Sequence, residues 1–517
     1  MVKEATADYA LNVPLTQKVA GTAGTMPEII RHDRLQPTPE PLLTTLIREV
    51  QRYLLVDEAV IKHIYHALLA GHVILTGPPG TGKTDLARFI PEILWKSQAQ
   101  TEQNDENNGN DGDTREFSSK TAYHACIVTA TDEWNVRTLI SGIAPQSTNG
   151  TITYKVQYGY LTSTILKNWY FPSNSPDEWS HLQRTLISAQ SSVERGKQQT
   201  FRGQWLVIDE FNRAPIDLAL GDALTALGGS DMLRVSIEGG SAELPIPFDF
   251  RIIGTLNSFD RNYLNQMSEA LKRRFSFIEI LPPTRAQRAA EQGIVLYKAL
   301  QRIAHLNDAI RIDEDGIEVW QNNATIARGA DGTYTILWEG DQQQAFREAF
   351  EMAWRIFEVI RIYRQLGTAQ AISLLQHMLI EGIIEGYSTT EQWVTQALDA
   401  ALCDTIADQL QVLLPDEIEA LLLYLTREHS VFGDIYNSLL QQLSPGRLYG
   451  QLLSLSNVTN HNGQELLSDG DIERIAAGND PTITGEKLNQ LFHLDQPGVR
   501  LPQFTRRMRA FKAERGL

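Results

Sequence analysis

Cysteine is nearly absent from these 517 residues: Cys126 and Cys403 stand alone, far apart and outside any CxxC pattern. That excludes a disulfide scaffold and a cysteine-rich zinc module, and it fits a reducing cytoplasm as the expected compartment. Long apolar runs are missing too. No stretch reaches the roughly 18 apolar residues that span a bilayer. Met1 to Thr25, with Lys3, Glu4, Asp8 and Lys18, lacks the apolar centre of a secretory leader, so no membrane association is expected. Positive charge is in deficit. With 46 Lys and Arg against 63 Asp and Glu, the formal charge is -17, which argues against a mainly phosphate-gripping surface while leaving room for a local basic patch. The eleven histidines form no HExxH or close ligand cluster, no Ser–His–Asp arrangement can be argued, and no fixed-period repeat is present.

What is there is a 42% hydrophobic chain long enough for two to four domains. Residues 1–41 read as an N-terminal arm, interrupted by Gly21, Gly24, Pro27, Pro37, Pro39 and Pro41. From Leu42 a helical period sets in, and Ile61, Ile64, Tyr65 and Leu68 fall on one face after Asp57-Glu58. Short apolar runs at His72–Thr76, Tyr123–Thr129, Trp205–Ile208, Arg251–Leu256 and Ser276–Leu281 alternate with helical stretches, which predicts an α/β unit with a largely parallel sheet over 42–283. Two hairpin signals interrupt it, at Thr151–Tyr160 and at Leu233–Phe250 around Gly239-Gly240. Residues 97–116 hold six acids, one arginine and almost no apolar side chain, so a disordered surface insertion is expected, with a regulatory acidic segment as the sharper alternative. After Pro282-Pro283 the pattern turns helical over 284–455, except near 316–338, where IEVW and TYTILW flank Asp331-Gly332 as a hairpin insertion. Residues 456–517 are an extension ending in Arg506, Arg507, Arg509, Lys512 and Arg515. A solvated amphipathic tail is the default there, with contact to nucleic acid or an acidic partner as the alternative.

Four segments carry chemistry. Gly77-Pro78-Pro79-Gly80-Thr81-Gly82-Lys83-Thr84 has the spacing of a P-loop, with a strand before it and a helix after it. Glycines let successive backbone N–H groups point into one concavity, and the helix N-terminus adds positive potential for phosphate. Lys83 can reach the β- and γ-phosphates, and Thr84 offers a hydroxyl to Mg²⁺. The apolar run Trp205–Ile208 ends in Asp209-Glu210, which places two acids at the carboxyl edge of the sheet: Asp209 for Mg²⁺, Glu210 to activate a water. Asn257 ends another strand and can meet that water or the γ-phosphate; it can equally cap the strand. Arg273 and Arg274, before Phe275, read as a solvated turn or as arginines reaching into a neighbouring subunit's site, where such a group contributes on the order of 10³–10⁵ in rate.

In this order the segments resemble the AAA+ ATPases over roughly residues 42–285, and more closely their MoxR and McrB branches. Asp209-Glu210-Phe211-Asn212-Arg213-Ala214-Pro215 is similar to the DE-x-N-R-A signature of those branches. Leu256-Asn257-Ser258-Phe259-Asp260-Arg261 resembles the McrB M-N-x-x-D-R segment, with leucine in place of methionine, and Ala270–Phe275 resembles A-L-R-R-R-F. The resemblance implies a three-layer αβα P-loop module followed by an enlarged, mostly helical lid with a β-hairpin insertion. It implies the loop Gly77–Thr84 and Asp209 for nucleotide, Thr84 and Asp209 for Mg²⁺, Glu210 as catalytic base and Asn257 as sensor 1. Arg273 and Arg274 become trans-acting fingers, with Arg274 preferred. Ser444-Pro445-Gly446-Arg447 resembles the S-P-R of a MoxR sensor 2 with a glycine inserted, so Arg447 is either a nucleotide contact or a helix-start arginine.

The functional expectation is a ring-forming nucleoside triphosphatase, a homo-oligomer of six, using ATP with GTP as competitor. It would act through a partner: a McrC-like nuclease, with DNA touched indirectly, or, in the MoxR alternative, a von Willebrand A-type protein. A nucleotide-gated scaffold that scarcely hydrolyses is the third reading, opposed by the presence of Glu210, Asn257 and Arg274. The 41-residue arm is not expected to form the DNA-reading domain that precedes the motor in McrB proteins.

Overall fold

In the computed structural model the described residues are 34–96, 122–148, 151–170, 182–193, 197–230, 232–237, 240–257, 267–284, 287–312, 318–320, 324–329, 332–338, 344–427, 432, 468 and 495–515. The acidic insertion 97–116, residues 1–33 of the arm, Ser258–Arg261 and Arg447 lie outside them. Two units divide the chain: Met1–Gly77 with Lys83–Ile280, and Pro78–Gly82 with Leu281–Leu517.

The first unit is built on a five-stranded parallel sheet. Its strands include β1 (His72–Gly77) and β2 (Tyr123–Thr129). Two hairpin strands follow, β3 (Ser141–Thr148) and β4 (Thr151–Tyr158), and then β5 (Gly203–Asp209). A second hairpin, β6 (Met232–Ile237) with β7 (Gly240–Pro245), precedes β8 (Ile252–Asn257) and β9 (Phe275–Glu279). The sheet runs β9–β1–β8–β5–β2 in space. Strands such as Val73–Leu75 and Leu206–Ile208 are buried completely, as expected where a parallel strand has covered faces and neighbours on both sides. Helices α1 (Glu40–Gln51), α2 (Glu58–Ala70) and α3 (Lys83–Ile93) contribute apolar faces through Leu46, Ile47, Ile61, Ile64, Leu86 and Ile90. The α/β fold with a parallel sheet, and the helical region after it, are thus as the alternation of apolar runs implies.

One end of this unit is held by a buried polar hub. Asp249, 2% exposed, pairs with Arg184 at 3.0 Å and Arg202 at 3.2 Å and accepts from the Tyr123 hydroxyl at 3.0 Å. Its carbonyl accepts from the Trp205 indole at 2.8 Å, and Trp205 stacks on Tyr123 with ring centroids 4.6 Å apart.

The second unit contains α4 (Arg288–Ile303), a four-stranded antiparallel sheet, α5 (Gln344–Tyr363), α6 (Thr368–Ile384), α7 (Asp399–Thr405), α8 (Pro415–Thr426) and α9 (Pro502–Glu514). The amphipathic α5 buries Phe346, Phe350, Trp354 and Phe357 at helical spacing. Its Arg361 makes a two-pronged pair with buried Glu291, at 2.6 and 2.8 Å, and Thr368 donates to the same carboxylate at 2.7 Å. The sheet corrects the expected single hairpin. Ile310–Ile312, Glu318–Trp320, Ala324–Arg328 and Tyr334–Trp338 form a meander in which Glu318–Trp320 pairs with Ala324–Arg328, and Ala324–Arg328 in turn with Tyr334–Trp338.

The basic tail is also different from a solvated one. Helix α9 buries Phe504, Met508 and Phe511, and Asp399 accepts the backbone N–H groups of Gln503 and Phe504 at 2.8 and 2.9 Å. Arg507 pairs with Asp408 at 2.5 Å, Lys512 with Glu419 at 2.9 Å, and Arg515 donates to the carbonyls of Leu413 and Gln411. Those cations meet acceptors of their own unit.

Candidate functional site

The carboxyl ends of β1, β8 and β5 lie side by side, with Gly77 opposite Asn257 in register and Gly254 opposite Ile208. At this edge of a parallel sheet the chain leaves each strand in a loop, and crossovers open a crevice for ligands. The glycines have a steric reason. A Cβ on Gly77, at φ +147°, would sit 2.1 Å from the Ile280 carbonyl oxygen, and Gly80 and Gly82 have φ of +77° and +84°. Side chains rarely adopt that backbone, which turns the chain tightly from β1 into α3.

Lys83 opens α3 and is only 6% exposed. Its ammonium donates to the Gly77 carbonyl at 2.9 Å. Burial pushes its pKa down to about 8, with the Asp209 carboxylate acting in the opposite direction. Next to it, the Thr84 hydroxyl donates to Asp209 Oδ1 at 2.8 Å, across 125 residues of sequence. A hydroxyl and a carboxylate held that close form a hard oxygen donor pair suited to Mg²⁺ beside substrate phosphates, so these two residues fit the ion the sequence implies. Among the described residues no group of three or more His, Cys, Asp and Glu could hold a metal on protein ligands alone.

Glu210 is one of two described non-glycine residues with positive φ, at +54°. Such backbone costs a side-chain-bearing residue on the order of 1–3 kcal/mol and persists where contacts enforce it. Here the Thr255 hydroxyl accepts its N–H at 3.1 Å, the Arg213 N–H donates to its carbonyl at 2.8 Å, and Arg213 Nε pairs with its carboxylate at 2.7 Å. Thr255, 3% exposed, also donates to Asp209 Oδ1. The sequence pattern assigns no role to Thr255 or Arg213. The available signal for Thr255 was a lone hydroxyl in the apolar strand Ile252–Asn257, two residues before Asn257.

The two finger candidates part company. Arg274 is half-buried and its guanidinium donates to Leu224 O at 2.9 Å and Ala270 O at 3.0 Å, whereas Arg273 is exposed. Asn257 stands at the sheet edge, half-buried. His72 is a packing residue: its Nδ1 accepts the Ile252 N–H at 3.1 Å, and burial beside Arg251 holds its pKa down at about 3. No helix among the described residues is long and apolar enough to cross a membrane.

Fold and site together define an α/β domain with a glycine-rich loop of P-loop spacing after the first strand of its parallel sheet. No protein-family model matches the chain, and no curated protein matches it. Among solved structures it is similar to NtrX from Brucella abortus, at 12% identity and a TM-score of 0.34, over 92% of this chain and 69% of that one. It is similar to the same protein in complex with ATP, at 14% identity and a TM-score of 0.32, over 69% of this chain and 58% of that one. It is also similar to the Aeropyrum pernix ORC2 protein in ADPNP–ADP complexes, at 12% identity and a TM-score of 0.31, over 89% and 93%. The functional reading rests on the site's own geometry and not on these likenesses.

Proposed function

We propose that this chain is a Mg²⁺-dependent nucleoside triphosphatase of the AAA+ type. The observation that carries the reading is the convergence of Thr84 and Asp209 at 2.8 Å, with Glu210 following Asp209 and the glycine loop preceding Thr84. Lys83 and the loop N–H groups would hold the phosphates, and Thr84 and Asp209 would hold Mg²⁺, whose chemistry there would be to offset charge developing on the phosphoryl oxygens. Glu210 takes the proton of the attacking water, and Asn257 orients that water or the γ-phosphate.

Arg273 is exposed while Arg274 is bonded to backbone carbonyls of its own chain, which supports a ring, of six copies by resemblance, in which Arg273 completes the neighbour's site and Arg274 braces the turn that presents it. The work is done on a partner. The sequence segments Leu256–Arg261 and Ala270–Phe275 favour a McrC-like nuclease, with ATP or GTP as fuel. The charge of -17 favours the alternative, a MoxR-type chaperone acting on a protein such as a von Willebrand A-type partner.

Phosphate release from ATP and from GTP tests the reading. Turnover is expected with Mg²⁺, falling by about 10²–10⁴-fold in Glu210→Gln. Tight nucleotide binding without release in the wild type would leave only the scaffold reading. The same Glu210→Gln protein, used as bait with Mg²⁺ and nucleotide, separates the partners. A nucleotide-dependent nuclease subunit supports the motor, and a von Willebrand-type protein supports the chaperone.

A further inference from the structure

Thr255 lies in β8 between β1 and β5, with Leu75 opposite it in register on the β1 side. Its one hydroxyl serves two functional residues at the end of another strand, Asp209 and the residue that follows it. The proton goes to Asp209 Oδ1, and a lone pair accepts the Glu210 N–H at 3.1 Å. The Thr84 hydroxyl donates to the same Asp209 oxygen. Being β-branched and buried at 3% exposure, Thr255 has little rotamer freedom, so its hydroxyl is aimed by the backbone of the central sheet.

We propose that Thr255 is a positioning residue that sets the metal-binding carboxylate and the catalytic base at once. This inference rests on the triphosphatase reading above. The donated hydrogen bond fixes the rotation of the Asp209 carboxylate relative to Thr84, as the outer partners of metal ligands do. The accepted bond holds Glu210 in its left-handed conformation.

The test is a valine at this position, which keeps the shape and removes the hydroxyl, measured beside Thr255→Ser. Binding of a fluorescent ATP analogue is titrated with Mg²⁺ and, separately, in EDTA. In Thr255→Val the Mg²⁺ concentration giving half the Mg²⁺-dependent gain in affinity rises by about 10–100-fold. Affinity in EDTA stays at the wild-type level, and kcat falls with little change in KM. Thr255→Ser recovers most of the Mg²⁺ response, because the hydroxyl and not the methyl is the active group.

Equal Mg²⁺ titrations of wild type and Thr255→Val overturn the inference and leave the triphosphatase reading standing. Equal impairment of the serine and valine variants also overturns it, since methyl packing would then be the cause. A wild-type protein with no Mg²⁺-dependent nucleotide binding overturns the triphosphatase reading itself. Should the valine variant fold poorly, Thr255→Cys, of similar volume and a much weaker donor, is read against the same outcomes.

Discussion

Lys83 should make nucleotide affinity fall with rising pH well before an ordinary lysine would titrate. In the free protein its pKa is about 8, because burial in the loop penalises the ammonium. Bound phosphate needs that ammonium, so above pH 8 the protein must take up a proton when nucleotide binds. The direction follows from linkage: a proton gained on binding makes the dissociation constant rise with pH, by up to tenfold per unit once pH exceeds the free-state pKa. From about pH 7.5 to about 9.5 the charged fraction drops from roughly three quarters to roughly 3%, so affinity should fall by about 25-fold, on the order of 2 kcal/mol. Competition binding with a fluorescent ATP analogue in EDTA isolates the effect from the metal. Over that range the triphosphate is already ionised, and Lys83→Met should bind weakly with a flat profile. A wild-type dissociation constant that changed by less than about threefold would refute the argument, as would a Lys83→Met profile as steep as the wild type's.

Two further outcomes test the scaffold. Asp249→Ala should destabilise the first unit by about 3–5 kcal/mol in urea unfolding, since it strands a buried arginine; Arg184 already has Nε and Nη1 without hydrogen-bond partners. A loss below about 1 kcal/mol would mean that the hub is not what holds this end of the sheet. Phe504→Ala should cost the second unit about 3–5 kcal/mol and release α9 to limited proteolysis, while Arg509→Ala on its exposed side should change neither; protease resistance in Phe504→Ala would sink the docked-helix account.

What could be read in advance, and what could not, divides along the range of the interactions concerned. The strands at 72–77, 203–209 and 252–257 are continuous apolar runs because both faces are covered, and such runs are visible in any short window. The phosphate loop is equally local: three positive-φ glycines and the lysine lie within seven residues. Thr255 is different. Its importance depends on β8 lying beside β5, an adjacency that the order β9–β1–β8–β5–β2 creates and that no local pattern encodes. The C-terminal helix shows the same limit. Phe504, Met508 and Phe511 are the only large apolar side chains of a helix that also carries four cations, and the groups that dock it, Asp399, Asp408 and Glu419, lie about a hundred residues earlier. The arginine pair adds a subtler case: Arg273 and Arg274 are chemically interchangeable in sequence, and only the backbone carbonyls of Leu224 and Ala270 separate them. In this chain the groups that would perform chemistry on phosphate are announced locally, whereas the groups that aim them are supplied by neighbouring strands distant in sequence. Substitutions at Lys83 or Asp209 would therefore report whether the site works at all, and substitutions at Thr255 would report how the sheet makes it work.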